Sequence, residues 1–433
     1  MTDLTGDWHG TIRTPGAELA VGITFTAAGG TAAVPAQGLQ GLPLADVVVE
    51  GTRVRFAVPS IPGGARFTGT LIDDAIAGEY NQGGRGFPFT LVRGTVAAAG
   101  RPQEPQPPFP YWSEQVTFAS GPVTLAGTLT VPPTGGPHPA VVLITGSGAH
   151  DRDESIAGHK PFLVLADALT RAGFAVLRVD DRGVGGSGGT KAQCSYDELA
   201  LDPLAGISHL AARPDIDPAR IGLCGHSEGG YLAPLAAGRA GGAVAFVVAL
   251  AGPAAPGAEV LVLQNRLVAE QAGLAADAVE QQVEFIQELC RLLVAQDLDG
   301  ARALARERIT EQFTGMPPED RPAADRIEEM IPVSPAFRAF VAYDPAPALA
   351  ALTVPVLAVF GELDVQVPPA QSEPAMRALL AGNPDATVRT VAGVNHLMQP
   401  ATTGAVTEYA AIATTIAPEV LALLTGWLQE RFG

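Results

Sequence analysis

Gly225-His226-Ser227-Glu228-Gly229 places one hydroxyl between two glycines, each two residues away. The apolar run Ile221–Cys224 precedes it, and residues 231–240 have the composition of a helix former. A serine at such a strand-to-helix turn sits in a backbone conformation that lifts its hydroxyl clear of the sheet. Only glycines at the flanking positions let the neighbouring chains approach that closely. Ser227 is therefore the expected nucleophile. The N–H of Glu228, at the start of the following helix, points where an oxyanion would form.

A serine hydroxyl needs a base, and the base needs an orienting acid. Seven histidines are available: His9, His138, His150, His159, His209, His226 and His396. In a doubly wound sheet carrying a serine nucleophile, the acid and then the base follow the serine in chain order. Only His396 does so, in the loop Ala392-Gly393-Val394-Asn395-His396 that leaves the strand 386–391. The acid is expected after the strand 354–360, in Gly361-Glu362-Leu363-Asp364. Asp364 is the choice and Glu362 the competitor. The acid would accept the Nδ1 proton of His396 and leave Nε2 free to deprotonate Ser227. A second oxyanion donor is expected from Thr145-Gly146-Ser147-Gly148, with the N–H of Ser147 first and Gly148 next. Nearby, Asp151, Arg152 and Asp153 read as ion pairs that stiffen this loop. The Gly-rich stretch after Asp181-Arg182 lacks the Gly-Lys-Ser/Thr ending of a phosphate loop and reads as a structural turn.

These residues need elements to hold them. Residues 1–98 alternate apolar with polar or small residues, punctuated by Gly, Pro and Asp, as in Ala65-Arg66-Phe67-Thr68-Gly69-Thr70-Leu71. This pattern predicts a small all-β barrel or sandwich. Residues 99–112 are Pro-rich and predict a stiff extended linker rather than an element of either neighbour. From 113 to 433 the pattern becomes α/β. A hairpin at 115–118 and 123–131 leads into continuous apolar runs at 140–145, 174–179, 221–224 and 244–251, as buried parallel strands require. Charged, Leu-rich helical segments fill about 256–340, between the sixth and seventh strands, where a cap over a site would be inserted. The βα pattern then resumes and closes on a helix at 417–432. The predicted fold is a mostly parallel, doubly wound α/β sheet with a helical cap, preceded by the all-β domain.

Composition narrows the function classes. Hydrophobic residues make up 47% of the 433 positions and charged residues 17%, enough for a large core and too few charges for a disordered chain. The formal net charge is −18, with no basic cluster, which argues against nucleic acid or an anionic membrane as partner. Three scattered cysteines (Cys194, Cys224, Cys290) suggest neither a disulfide framework nor a zinc site. The first residues lack a secretory pattern, and no apolar run reaches membrane-spanning length. A cytoplasmic protein is expected.

From about residue 113 onward the chain resembles an α/β-hydrolase of the esterase–lipase and dienelactone-hydrolase-like kind. Four motifs are similar to a bacterial esterase subgroup: Gly146-Ser147-Gly148 with Asp151-Arg152-Asp153, Asp180-Asp181-Arg182-Gly183, Gly225-His226-Ser227-Glu228-Gly229-Gly230, and Asn395-His396. In that subgroup the first shapes the oxyanion hole, the third holds the nucleophile and the last the base. Thr145 departs from the pattern, since many relatives have His there. Gly6-Asp7-Trp8-His9-Gly10 and Tyr80-Asn81-Gln82-Gly83-Gly84 resemble an accessory β-domain found ahead of some such esterases. The resemblance implies a serine carboxylesterase acting on small to medium acyl esters through an acyl-enzyme, with no cofactor or metal. A peptidase or thioesterase using the same three residues is the alternative. The expected partner is a small-molecule ester, and homo-oligomerisation stays open.

Overall fold

A computed structural model describes residues 4–14, 17–26, 29–34, 39–61, 64–82, 85–94, 101–314 and 321–433. Expectations that fall on residues 1–3, Gly83 and Gly84, and 95–100 lie outside the described residues. The chain divides into two compact units. One comprises Met1–Gly100, Ile156–Gly158 and Arg302–Ile331; the other comprises Arg101–Ser155, His159–Ala301 and Pro332–Gly433.

Among the described residues, the first unit carries the strands β1 (Gly6–Thr14), β2 (Ala17–Thr26), β3 (Gly29–Val34), β4 (Leu39–Pro43), β5 (Ala45–Glu50), β6 (Arg53–Val58), β7 (Ala65–Ile72), β8 (Ala75–Gln82) and β9 (Arg85–Arg93). They form one antiparallel sheet in the order β4-β3-β2-β1-β9-β8-β7-β6-β5. Its two end strands, β4 and β5, are separated in the chain by Leu44 alone, so the sheet curls enough to bring the end of one next to the start of the other. The period-2 pattern explains the core. Along β7, Ala65, Phe67, Gly69 and Leu71 point in, while Thr68 and Thr70 point out. Phe67 stacks on Phe56 at 4.6 Å and meets Phe89 edge-on at 5.1 Å.

The second unit carries β10 (Trp112–Ser120), β11 (Val123–Val131), β12 (His138–Ile144), β13 (Ala175–Val179), β14 (Ile216–His226), β15 (Val247–Leu250), β16 (Val356–Gly361) and β17 (Ala386–Val391). Their order is β10-β11-β13-β12-β14-β15-β16-β17. The β10–β11 hairpin joins β13 antiparallel, and β12 to β17 run parallel. The helices that follow or connect these strands in the chain are α1 (Pro161–Arg171), α2 (Tyr196–Ala211), α3 (Gly229–Arg239), α4 (Gly257–Gln271), α5 (Ala276–Val294), α6 (Leu298–Gln312), α7 (Ala324–Met330), α8 (Pro335–Ala342), α9 (Ala346–Ala350), α10 (Pro369–Leu379) and α11 (Pro418–Phe432), of which α7 and most of α6 belong to the first unit. This is the α/β-hydrolase fold, with α4–α9 in the connection between β15 and β16.

Both faces of the sheet are covered, which is why its strands read as unbroken apolar runs. Val141 and Leu143 pack with α1 and α11 on one side, together with Cys224, a small buried apolar residue. Val142 and Ile144 pack with α2, α3 and α10 on the other. Ser195 and Glu198 cap α2 reciprocally, each side chain bonding the other's backbone N–H. The strand predicted at 244–251 is shorter in the structure, spanning Val247–Leu250, and Ala251 beyond its end turns left-handed at φ 48°.

The Pro-rich stretch is not a free spacer where it is described. The Arg101 guanidinium donates to the carbonyls of Ala410 and Ile412, at 2.7 and 3.0 Å. Gln103 bridges the backbone of Thr415 and Ile416. Polar side chains between the prolines thus satisfy a loop that has no ladder of its own. Among the described residues, no helix is long and apolar enough to cross a membrane.

Strand order selects where a site can form. The chain passes from β12 to β13 on one side of β12, then returns to β14 on its other side. The connections leave β12 and β14 in opposite directions, opening a crevice at the C-terminal ends of both strands. Ile144 of β12 is level with Gly225 of β14, so the residues 145–148 and Ser227 emerge there side by side.

Candidate active site

Ser227 has φ 54°, a left-handed conformation rare for a residue with a side chain. Its N–H donates to the Leu250 carbonyl of β15 at 2.9 Å, and its carbonyl accepts from Gly230 at 2.8 Å. The glycine requirement is steric. A Cβ on Gly225 would lie 2.0 Å from the Gly229 carbonyl oxygen, and one on Gly229 would lie 2.3 Å from that of Ile144. Gly225→Ala should therefore destabilise the protein by about 1–3 kcal/mol or more, as backbone-level overpacking does. A Cβ on Gly238, near the end of α3, would meet only open space. Gly238→Ala should instead raise the melting temperature, because helix propensity favours alanine over glycine. Thermal unfolding of both variants checks the contrast, and equal shifts would refute the steric account.

Ser227 Oγ lies 3.0 Å from His396 Nε2, and His396 Nδ1 lies 2.8 Å from Asp364 Oδ2. Asp364 is buried and held from its other oxygen, with Oδ1 accepting from the N–H groups of Gln366 and Val367, both at 2.8 Å. Glu362 is exposed and bonds the N–H of Gly393 at 2.8 Å, bracing the turn that leads to His396. The structure thus brings Asp364, and not Glu362, to His396. The His396 loop is closed by its neighbours. Asn395 pairs with Gln399 through side chain and backbone, and the Ala417 N–H donates to the Met398 carbonyl at 2.6 Å.

Ser147 and Glu228 flank Ser227. A Cβ on Gly146 would stand 3.3 Å from Ser227 Cβ, which places the Gly146–Ser147 backbone directly against the serine. Among the described residues, the N–H groups of Ser147 and Glu228 have no hydrogen-bond partner, whereas the N–H of Gly146 donates to Glu154 Oε1 at 2.7 Å. The Glu228 carboxyl turns away, into the interior, where it accepts from the Tyr196 hydroxyl at 2.7 Å. Burial raises its pKa, opposed by the charge of Lys191.

Of the residues expected to form ion pairs in this loop, Arg152 and Asp153 do so, while Asp151 holds the loop by hydrogen bonds. Arg152 pairs with Asp180 at 2.6 Å, Arg178 pairs with Asp153, and Asp151 accepts from the N–H and hydroxyl of Ser155. Asp180 also accepts from Gly186, and Arg182 pairs with Asp202, so the Gly-rich turn serves as scaffold. Thr145, at the position that departs from the esterase pattern, donates its hydroxyl to Asp181 at 2.8 Å.

Two sets of buried charged groups at the site escaped sequence reasoning. His226 Nδ1 lies 3.0 Å from Glu154 Oε1, and its Nε2 lies 3.0 Å from the His396 carbonyl. Burial alone would raise the Glu154 pKa and lower that of His226. The partner's charge and their hydrogen bonds reverse both, leaving Glu154 lowered and His226 raised, as a charged pair. Lys191, also buried, reaches the Gly146 carbonyl at 2.9 Å and Asp181 at 2.9 Å. His226 stands at a position that the Gly-x-Ser-x-Gly spacing leaves unspecified, and Lys191 is a lone cation in a polar loop. Neither spacing nor periodicity marks them.

Residues 120–379 match the family model of X-Pro dipeptidyl-peptidase (S15 family). The esterase EstD of Thermotoga maritima is 30% identical over 274 residues, which is 63% of this chain and 58% of that protein. The match therefore spans a little over half the length of that relative. Among solved structures, an esterase of Pyrococcus furiosus overlays with a TM-score of 0.45 at 15% identity, covering 75% of this chain and 92% of the other. The proline iminopeptidase of Mycobacterium smegmatis overlays with a TM-score of 0.45 at 17% identity, covering 73% and 98% respectively.

Proposed function

The chain belongs to the X-Pro dipeptidyl-peptidase (S15) family, and within that family of serine hydrolases we propose that it is a serine carboxylesterase acting on small to medium acyl esters. The observation that carries this reading is the hydrogen-bonded run Ser227–His396–Asp364, with the serine held at a left-handed φ. In the proposed mechanism, His396 Nε2 takes the proton of Ser227 Oγ as the oxygen attacks the ester carbonyl. The N–H groups of Ser147 and Glu228 receive the developing oxyanion, each worth roughly 10²–10³-fold in kcat where one such donor is removed. His396 then returns the proton to the departing alcohol, leaving an acyl-enzyme on Ser227. Water, deprotonated by the same imidazole, releases the acid. Asp364 keeps the imidazole in the tautomer that leaves Nε2 unprotonated in the resting state.

A second reading, peptidase, is favoured by the family match itself. A dipeptidyl-peptidase must hold the α-ammonium of its substrate, which calls for an uncommitted carboxylate. The carboxylates named around Ser227 are engaged inside the protein: Glu154 with His226, Asp181 with Lys191, Glu228 with Tyr196 and Asp364 with His396. Each of these four carboxylates has a partner inside the protein, and Oε2 of Glu154, which has none, is buried, which supports the ester reading.

A fluorophosphonate probe should label Ser227 in the wild type and leave Ser227→Ala unlabelled. Turnover of p-nitrophenyl acetate and butyrate should then exceed that of Gly-Pro-p-nitroanilide and of matched thioesters. Faster release from the dipeptide anilide would replace the esterase by the peptidase. A wild type that takes no label would point to a binding protein on a hydrolase scaffold.

A further inference from the structure

Gly146 is gripped at both of its backbone polar groups by buried side chains of opposite charge. Its N–H donates to Glu154 Oε1 at 2.7 Å, and its carbonyl accepts from Lys191 Nζ at 2.9 Å. We propose that Lys191 and Glu154 are positioning residues that set the Gly146–Ser147 peptide so that the Ser147 N–H faces the oxyanion. The inference rests on the serine-esterase reading above, and extends it to residues that touch neither substrate nor the Ser227–His396–Asp364 run.

The physical argument begins with the peptide plane. The carbonyl of Gly146 and the N–H of Ser147 belong to one planar trans unit and point in opposite directions. A cation that fixes the carbonyl thereby fixes the N–H. It also polarises the peptide, which strengthens the opposite donor in a low-dielectric interior. Glycine needs such help, since its φ and ψ are the least restricted of any residue. An oxyanion donor is useful only when held in place before the reaction.

Both grips are stiff. Lys191 is only 5% exposed and is anchored by Asp181 at 2.9 Å, with Thr145 Oγ1 at 3.3 Å. Glu154 is 2% exposed and sits at φ 52°, a strained conformation for a side chain of its size. Its Oε1 accepts from both Gly146 and His226, while Oε2 is buried without a partner. The ring of His226 extends the clamp. Its Nε2 faces the His396 carbonyl, which can only accept, so Nε2 carries hydrogen; Nδ1 faces a carboxylate and carries hydrogen as well. Glu154 and His226 together therefore tie the oxyanion loop, the serine turn and the base loop into one unit.

The test compares wild type with Lys191→Met, Glu154→Gln and Glu154→Leu on a matched pair of substrates, a p-nitrophenyl ester and its thionoester. Turnover is expressed per site titrated with a fluorophosphonate, so misfolded protein does not count. Sulfur accepts hydrogen bonds from N–H poorly, so the thionoester draws little on the oxyanion donors. Lys191→Met should lower kcat for the oxoester by about 10²-fold, near the effect of deleting one donor, with KM within about twofold. The thionoester should lose much less, so the oxoester preference collapses. Glu154→Leu should act in the same direction, and Glu154→Gln, which keeps an acceptor for the Gly146 N–H, should recover part of the loss. Equal losses on both substrates, or unchanged kcat per titrated site in Lys191→Met, would overturn the proposal. Ser227→Ala, measured alongside, tests the underlying reading separately: retained turnover there would sink the esterase mechanism, whatever the lysine variant does.

Discussion

Ser227→Ala should lower kcat for p-nitrophenyl esters by roughly 10⁶-fold, the scale seen when a serine nucleophile is removed from a hydrogen-bonded triad. The fold should survive. Ser227 contributes one hydroxyl at a half-buried turn, its backbone bonds to Leu250 and Gly230 stay in place, and alanine meets the same left-handed φ. His396→Ala should be almost as severe, since an undeprotonated serine barely attacks. The double variant should be no worse than either single one, because a base has nothing to act on once the hydroxyl is gone. Initial rates on purified protein, with melting temperatures recorded in parallel, check all three. Near-wild-type turnover in His396→Ala, or additive losses in the double variant, would show that His396 is not the base.

The second large effect is expected from Asp364→Asn, about 10² to 10⁴-fold in kcat, and its cause is a tautomer. Asp364 Oδ1 accepts two backbone N–H groups, from Gln366 and Val367, and Oδ2 accepts the hydrogen of His396 Nδ1. An asparagine there must turn its carbonyl oxygen to the two N–H donors, because its amide nitrogen cannot accept. The NH₂ then faces Nδ1 and drives the ring hydrogen to Nε2. In that tautomer His396 has no lone pair for the Ser227 proton. Glu362→Gln should change little, since Glu362 only bonds the N–H of Gly393 and a glutamine oxygen can replace it. Steady-state rates of the two variants decide the matter; a greater loss from Glu362→Gln would move the acid to Glu362.

Much of this molecule is legible in local pattern. Gly225, Ser227 and Gly229 announce their turn by spacing alone; the Cβ excluded at Gly225 would meet the Gly229 carbonyl of the same turn, while the one excluded at Gly229 would meet Ile144 of the neighbouring β12. Chain order singles out His396 among seven histidines without any coordinates. Alternation in β7 and unbroken apolar runs in β12 and β16 follow from one-sided and two-sided burial, which period and hydropathy report directly.

Other features depend on long-range closure and leave no such trace. Glu154 and His226 are 72 residues apart, His226 and the His396 carbonyl 170, and Lys191 and Gly146 45. A buried charge is tolerable only beside its partner, yet nothing in a linear string names a partner that a sheet brings in from another loop. For Asp364 the sequence named the right carboxylate with Glu362 as its rival, and the structure supplies the contact. The two carboxylates are two residues apart in one turn, and the path of the base loop determines which of them meets an imidazole. Docking of Arg101 and Gln103 onto 410–416 escapes the pattern for the same reason, since proline content describes stiffness and not destination. Periodicity records which face of an element is buried. Which side chains meet across the crevice between β12 and β14 is set by strand order and register, and these exist only once the chain has closed on itself.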